Sequence, residues 1–396
     1  MRQGKVWAKR FVLLAIRLLF LMRKARSTRP FVAEETSSIL LVETAFLGDV
    51  VAMTPLLKMV RQRFPEAQID VLVERRNSPL LQFEERIDTL QAVNTSQFIS
   101  LLQMVLALRR NAYDLVICVS PGVRNSLISL LAGRCWAVGY LVNYSWNTSF
   151  FNDFHAVMIG GKRTSLYPKE GHLTQRALNA LAPLGLIDFP LPEETLPFLQ
   201  LPLAVEREKA QELRKDGFIK PGKINMVVHP CASWRYKQWP LEKMALLLER
   251  LFQQYPEDLH VILIGLTRER VTLEAIEQKV SQPIKLLLGT DLLTVMTLIK
   301  QANIFLGNDS GPKHIADSFA KPLVELLGPG LAETVGGKNR QAQAVYAGVA
   351  CSPCSQMECV NNGCCMQQIS IETVFSHLCI RIDEQLAATS LKEKVN

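Results

Sequence analysis

No Asp-x-Asp pair occurs anywhere in the 396 residues. Such a pair is a common way to hold a divalent metal against phosphate oxygens, so any diphosphate bound here needs other counter-charges. No Gly-x-Gly-x-x-Gly follows the first apolar run (Ile39-Leu40-Leu41-Val42), which weighs against a dinucleotide-dependent dehydrogenase. No uncharged apolar run reaches the ~18 residues of a confident membrane span. Gly 21 and Pro 20 are ordinary counts, so collagen-like and low-complexity chains are excluded. Acidic residues are missing from the first 30 positions, which hold nine basic ones.

What is present is a chain able to build cores. The hydrophobic fraction is 48%, and the length suits two or three domains at ~100–200 residues each. The net charge is +8, but residues 31–396 carry 36 basic against 37 acidic side chains. The excess therefore belongs to the N-terminal segment, and a broad nucleic-acid surface on the folded body is not expected.

Within that segment, Val6 to Met22 is apolar except for Lys9, Arg10 and Arg17. At ~100° per residue, Lys5, Lys9, Arg10, Arg17, Arg23 and Lys24 share one arc of a helix, with Trp7, Phe11, Leu14, Leu18 and Met22 opposite. This pattern predicts an amphipathic helix lying in a membrane interface, near anionic headgroups. A signal anchor is the second reading, although Arg17 interrupts its apolar part. An ordinary surface helix is the third. Thr28 to Ser38 reads as a linker.

From Ser38 onward, apolar runs of strand type alternate with helical periodicity. Ile39–Val42, Ile69–Val73 and Leu115–Val119 are strands, and Val50–Phe64 and Leu101–Leu108 are helices. Pro55 is taken to lie near the first helix's opening turn, where it is tolerated. The plan repeats with strands Ile224–Val228, Val261–Gly265, Ile304–Leu306 and a last one at Pro322–Leu327. Helices are expected at Glu242–Tyr255, Glu269–Val280, Leu292–Lys300 and Gly311–Phe319. The pattern predicts an α/β chain with two Rossmann-like domains, parallel sheets facing across a cleft. The join falls near Pro192–Pro202, giving 1–35 as basic segment and linker, 36–200 as the first domain and 201–396 as the second. Ligands in such sheets sit at the carboxyl ends of strands.

Four motifs fall beyond such ends. Asp49, in Thr44-Ala45-Phe46-Leu47-Gly48-Asp49, is either a helix cap or a carboxylate placed to accept a proton. In Gly307-Asn308-Asp309-Ser310-Gly311-Pro312-Lys313-His314, the helix opening at Ser310 and Gly311 offers N–H groups to phosphate, with His314 one turn on. The plainer alternative is a capped turn with a solvated His. In His229 to Pro240, Lys237 can neutralise a leaving diphosphate, or the stretch is a surface loop anchored by Trp239-Pro240. Lastly, Cys351, Cys354, Cys359, Cys364 and Cys365 crowd residues 351–365. They suit a structural staple, a metal or a local disulfide rather than catalysis.

Together these motifs resemble the lipopolysaccharide heptosyltransferases, glycosyltransferase family 9. The resemblance rests on Leu47-Gly48-Asp49-Val50-Val51 with Pro55-Leu56-Leu57, on Arg63-Phe64-Pro65, and on Lys237-x-Trp239-Pro240. It rests further on Asn308-Asp309-Ser310-Gly311-Pro312-x-His314 and on Leu327-Gly328-Pro329. It runs from about Ile39 to about Val374, and the late cysteine cluster recurs in many members.

The resemblance implies the GT-B fold, with an acceptor domain followed by a donor domain. It implies inverting transfer of heptose from ADP-heptose to a lipid-linked core oligosaccharide, with no cofactor and no catalytic metal. Asp49 then matches the general base and Lys237 the diphosphate contact. Asp309, Ser310, Gly311 and His314 match the donor loop. Ser233 falls near a donor hydroxyl contact, Glu269 matches a nucleoside contact, and Arg124 falls where an acceptor phosphate is met. The expected place is the cytoplasmic face of a bacterial inner membrane, held peripherally. Two other readings stay open: a GT-B transferase using another nucleotide sugar, and a catalytically silent membrane-bound scaffold.

Overall fold

A computed structural model describes residues 31–119, 123–139, 171–181, 184–186, 196–352, 354, 359 and 361–395. The amphipathic helix expected within residues 1–30 lies outside them. The chain divides into two compact units, Met1–Thr195 and Leu196–Asn396, a division that falls inside the proline-bearing stretch 192–202.

The first unit is built on five parallel strands: β1 (Ser38–Glu43), β2 (Gln68–Glu74), β3 (Thr89–Val93), β4 (Tyr113–Cys118) and β5 (Gly133–Gly139). Their order is β3-β2-β1-β4-β5. Helices α1 (Leu47–Arg63), α2 (Phe98–Asn111), α3 (Val123–Ala132) and α4 (Leu173–Asn179) accompany them. β1 lies at the centre, and Ile39 to Val42 are fully buried. That is why this run is apolar without alternation: both faces are covered. On one face Leu40, Val42, Val116 and Cys118 pack with Leu108 of α2 and Ile128 of α3. Helix α1 contacts β1 and α4.

Two local features differ from expectation. Helix α1 begins at Leu47, so Pro55 sits inside it rather than in its first turn. Proline cannot donate to the carbonyl four residues back. The Thr54 hydroxyl does so instead, at 2.8 Å from the Val51 oxygen. The stretch expected as a linker is tied down from Phe31 onward. The Phe31 ring meets Trp136 edge-on at 5.9 Å, and Asp114 accepts backbone and hydroxyl protons from both Ser37 and Ser38.

The second unit holds six parallel strands: β6 (Ile224–His229), β7 (Leu259–Gly265), β8 (Lys285–Leu288), β9 (Ile304–Asn308), β10 (Leu323–Leu326) and β11 (Ala342–Val345). Their order is β11-β10-β9-β6-β7-β8. Its helices are α5 (Leu203–Lys215), α6 (Leu241–Gln254), α7 (Arg270–Glu277), α8 (Leu292–Gln301), α9 (Gly311–Ser318), α10 (Ala332–Val335), α11 (Cys364–Gln368) and α12 (Ile371–Val395). One face of the sheet, from Met226, Val228, Val261, Leu263, Leu306 and Leu326, packs with Leu248 and Leu251 of α6, Leu273 of α7, and Val374 and Leu378 of α12. Helices α8 and α9 contact each other and the strands of the same sheet.

β10 is not the last strand, because β11 pairs with it in parallel. The helix expected from Glu269 opens with a tight turn, Thr267–Glu269, and ends at Glu277. Both sheets reverse their direction of growth at one point. The first unit grows from β1 through β2 to β3, then restarts with β4 on the other side of β1. The second grows from β6 to β8, then restarts with β9 beside β6. The crevice outside the strand ends at such a reversal is where open α/β sheets take ligands.

Candidate active site

At the reversal of the first unit, β1 and β4 are neighbours. Asp49 follows β1 as the third residue of α1, and its carboxylate accepts the Phe46 N–H at 3.2 Å. It therefore closes the helix end from within, which suits a negative charge at a helix N-terminus. Arg124, from the α3 end that follows β4, reaches the Thr44 hydroxyl at 3.4 Å. That hydroxyl donates to Asn125 at 2.7 Å. The structure thus brings Asp49 and Arg124 to the ends of adjacent strands. Arg124 is exposed and Asp49 half-buried.

At the reversal of the second unit, β6 and β9 are neighbours, with His229 opposite Gly307. The loop after β6 carries Lys237 in a single tight turn, Arg235–Lys237. Its ammonium lies 2.6 Å from one oxygen of Asp309 and 5.2 Å over the Trp234 ring. The other Asp309 oxygen lies 3.2 Å from Lys313, which reaches Glu325 of β10 at 2.7 Å. Burial opposes ionisation of Asp309. The Lys313 and Lys237 charges outweigh it and hold the carboxyl far below the usual range. Burial likewise opposes the charge on Lys313, yet Glu325 and Asp309 keep its ammonium raised.

Asn308, fully buried, fastens the loop to the strand. Its amide donates to the Pro230 carbonyl at 2.6 Å and accepts the Trp239 N–H at 3.1 Å. Trp239 is buried in the core, its indole N–H donating to Ile369. The Ser310 hydroxyl meets His229 Nδ1 at 2.8 Å and makes no cap bond to α9. Burial lowers the His229 pKa to about 4, so its ring is neutral at pH 7. Gly311 opens α9, and Pro312 removes one N–H from its first turn. His314 is buried one turn on, and its charge also favours ionised Asp309.

Glu269 stands in the turn after β7 and accepts the Leu266 N–H at 2.8 Å. Burial, then the Glu269 charge, pushes the Cys231 thiol up to about 12. Ser233 is exposed on that loop.

Lys237, Asp309, Ser310, Gly311 and His314, expected from their motifs, stand together at one strand reversal. Asn308, His229, Lys313 and Glu325 join them without a motif of their own. One signal was visible: Glu325 interrupts an otherwise apolar strand.

The cysteine segment packs next to this edge. Cys365 and Met366 are buried beneath Gly328, where an added Cβ would fall 2.5 Å from the Met366 sulfur. The Cys351 and Cys364 sulfurs are 3.7 Å apart, while Cys354 is exposed. Cys359 accepts the Gly363 N–H at 3.0 Å. Among the described residues, no three His, Cys, Asp or Glu side chains converge on a metal site.

Two α/β units, each built on a parallel sheet with charged and hydroxyl-bearing loops at its strand reversal, are the parts of the GT-B architecture. Residues 101–364 match the family described as glycosyltransferase family 9 (heptosyltransferase), and the chain belongs to that family. It is similar to lipopolysaccharide heptosyltransferase 3 of Escherichia coli K12, 26% identical over 71% of this chain and 79% of that protein. Lipopolysaccharide heptosyltransferase 1 of Campylobacter coli is 22% identical over 73% of this chain and 83% of that one. The fold is shared with the structure of E. coli ADP-heptose LPS heptosyltransferase II, at a TM-score of 0.67 and 19% identity, covering 88% of this chain and 99% of that one.

Proposed function

We propose that this protein transfers a heptose from ADP-heptose to a lipopolysaccharide core acceptor, with inversion at the anomeric carbon. The observation that carries the reading is the Lys237–Asp309 pair at the β6–β9 reversal, in a chain of the heptosyltransferase family. The named activities of the E. coli relatives support the donor and the acceptor.

In this reading Asp49 takes the proton from an acceptor hydroxyl as that oxygen attacks the anomeric carbon. The bond from that carbon to the diphosphate breaks, and ADP leaves with the electron pair. Lys237 and the N–H groups opening α9 meet the negative charge that grows on the leaving group. Asp309 aims Lys237, Glu269 and Ser233 contact the donor, and Arg124 holds an acceptor phosphate. Stabilisation of a charge that develops only during bond cleavage accelerates the reaction, whereas equal binding of ground and transition states does not.

Replacing Asp49 with Asn tests the base. Transfer from ADP-heptose falls by about 10²–10⁴-fold while ADP affinity stays near wild type. Wild-type turnover in the purified variant would leave Asp49 with its capping role alone. A marked preference for a UDP- or GDP-sugar in the same assay would favour another donor.

We infer further that residues 1–30 hold the enzyme on the inner face of the membrane, where a lipid-linked acceptor resides. Each basic residue near an anionic surface contributes about 1 kcal/mol before screening. The full chain then sediments with anionic liposomes at low salt and is released at high salt, whereas a chain beginning at Phe31 stays in solution. Binding that survives high salt and carbonate would mean that the segment spans the bilayer.

A further inference from the structure

Four charges of alternating sign run from the interior of the second unit to its ligand edge. Glu325 on β10 and Lys313 in α9 have side chains 1% exposed, Asp309 is 5% exposed and Lys237 17%. Lys313 Nζ makes three contacts: Glu325 at 2.7 Å, the Val335 carbonyl at 2.6 Å and Asp309 Oδ1 at 3.2 Å. The far oxygen of Glu325 accepts the Gly337 N–H at 2.7 Å. The far oxygen of Asp309 faces Lys237. Lys313 thus makes its contacts with buried protein groups, and of these Asp309 is the one that also meets Lys237.

We propose that Lys313 is a positioning residue for the donor diphosphate, holding Asp309 in the orientation that aims Lys237 and offsetting the carboxylate's charge. The inference rests on the donor reading given above.

The cluster as a whole is neutral. With Lys313 removed it carries one net negative charge, which repels a diphosphate. An apolar pair of similar volume in place of Lys313 and Glu325 would avoid desolvating two charges, and such replacements are often neutral or stabilising. That pair would not supply the bond to Asp309 Oδ1. Around Asp309 stand Lys237 from the loop after β6, Lys313 and His314 from α9, Glu325 of β10 through Lys313, and His229 of β6 through Ser310. Lys313 is the larger of the two cationic influences that keep it ionised.

The test separates service to Glu325 from service to Asp309. Lys313→Met alone leaves the Glu325 carboxylate buried without its cation and is expected to unfold. Lys313→Met with Glu325→Leu removes both charges and keeps the volume. Lys313→Gln with Glu325→Gln is a second form that keeps polar groups in place should the first fail to fold. ADP binding to the full chain is measured by titration calorimetry from pH 7.5 down to 3, in two buffers of different ionisation heat at each pH, which counts protons taken up.

The double variant is expected to melt near wild type. Its ADP binding takes up a proton at a pH about 1–3 units higher than wild type, because Asp309 has lost a charge partner within contact distance. Wild-type ADP affinity and proton uptake throughout that range would overturn the proposal and leave Lys313 a partner of Glu325 alone. Lys237→Ala in the same series tests the donor reading separately. Unchanged ADP affinity there would overturn that reading, and this inference with it.

Discussion

At the end of β1, Thr44 and Asn125 share a hydroxyl–amide bond, and Arg124 reaches in from solvent at the limit of hydrogen bonding. At the end of β9, two lysines and two carboxylates interlock, and the innermost pair is wholly buried. The two edges use the same topology but different materials. Removing charges from water is costly and is offset only by close, fully paired geometry. A side chain held that way has little freedom to adapt. The exposed arginine keeps its rotamer freedom and can meet ligands of several shapes. On the proposed reading, the contrast suits one unit that binds a nucleotide diphosphate and another that meets the acceptor.

The largest effect that sharpens this contrast is expected at Asp309. Asp309→Ala removes charge-assisted hydrogen bonds worth about 1.5–3 kcal/mol at neutral pH and also abolishes tight ADP binding. The carboxyl binds a proton less readily folded than unfolded. Its contribution is therefore complete above about pH 4 and is lost as pH falls through the lower folded-state value. Melting curves from pH 7 down to pH 2 should show wild type and variant converging in acid. A difference that does not shrink there would mean the loss is one of packing, not of charge.

The smallest effect is expected at Arg124. Arg124→Ala should change unfolding free energy by less than about 0.5 kcal/mol, as for exposed substitutions generally. It should raise KM for a phosphorylated acceptor with the ADP constant unmoved. A large drop in melting temperature would break the contrast, because it would make the first edge as dependent on its charge as the second.

Strands with both faces covered were legible in the sequence as unbroken apolar runs: Ile39–Val42, Leu115–Val119, Val261–Ile264 and Ile304–Leu306. The edge strands β3, β5, β8 and β11 were not. β3, β8 and β11 are half-exposed along most of their length, so Thr89, Gln91, Lys285 and Gln343 interrupt the apolar signal, and β5 opens on Gly133-Arg134 and closes on Gly139. Pro55 misled for a different reason. The hydroxyl that makes it tolerable lies on the preceding residue and bonds three residues back, a local device that periodicity does not register. The site residues were legible where a motif carried them. Lys313 and Glu325 come together only because β10 runs beside β9 and brings its Glu next to α9. Their pairing is a product of sheet order, which the one-dimensional pattern does not contain.

Asn308 has a consequence for how this loop can change over evolutionary time. One side chain grips both ends of the segment from Pro230 to Trp239, so the segment is a closed ring anchored at a single amide. Insertions near Ala232 and Ser233 would enlarge the ring without moving its anchor. The entropic cost of enlargement grows only with the logarithm of length, roughly 0.6 kcal/mol per doubling. Lys237 stands two residues from the anchored end and would keep its position. New contacts can therefore be added to the loop while Lys237, the proposed diphosphate contact, stays in register. Asn308→Ala opens that ring at its Pro230 end and leaves the segment held at the other end by the buried Trp239.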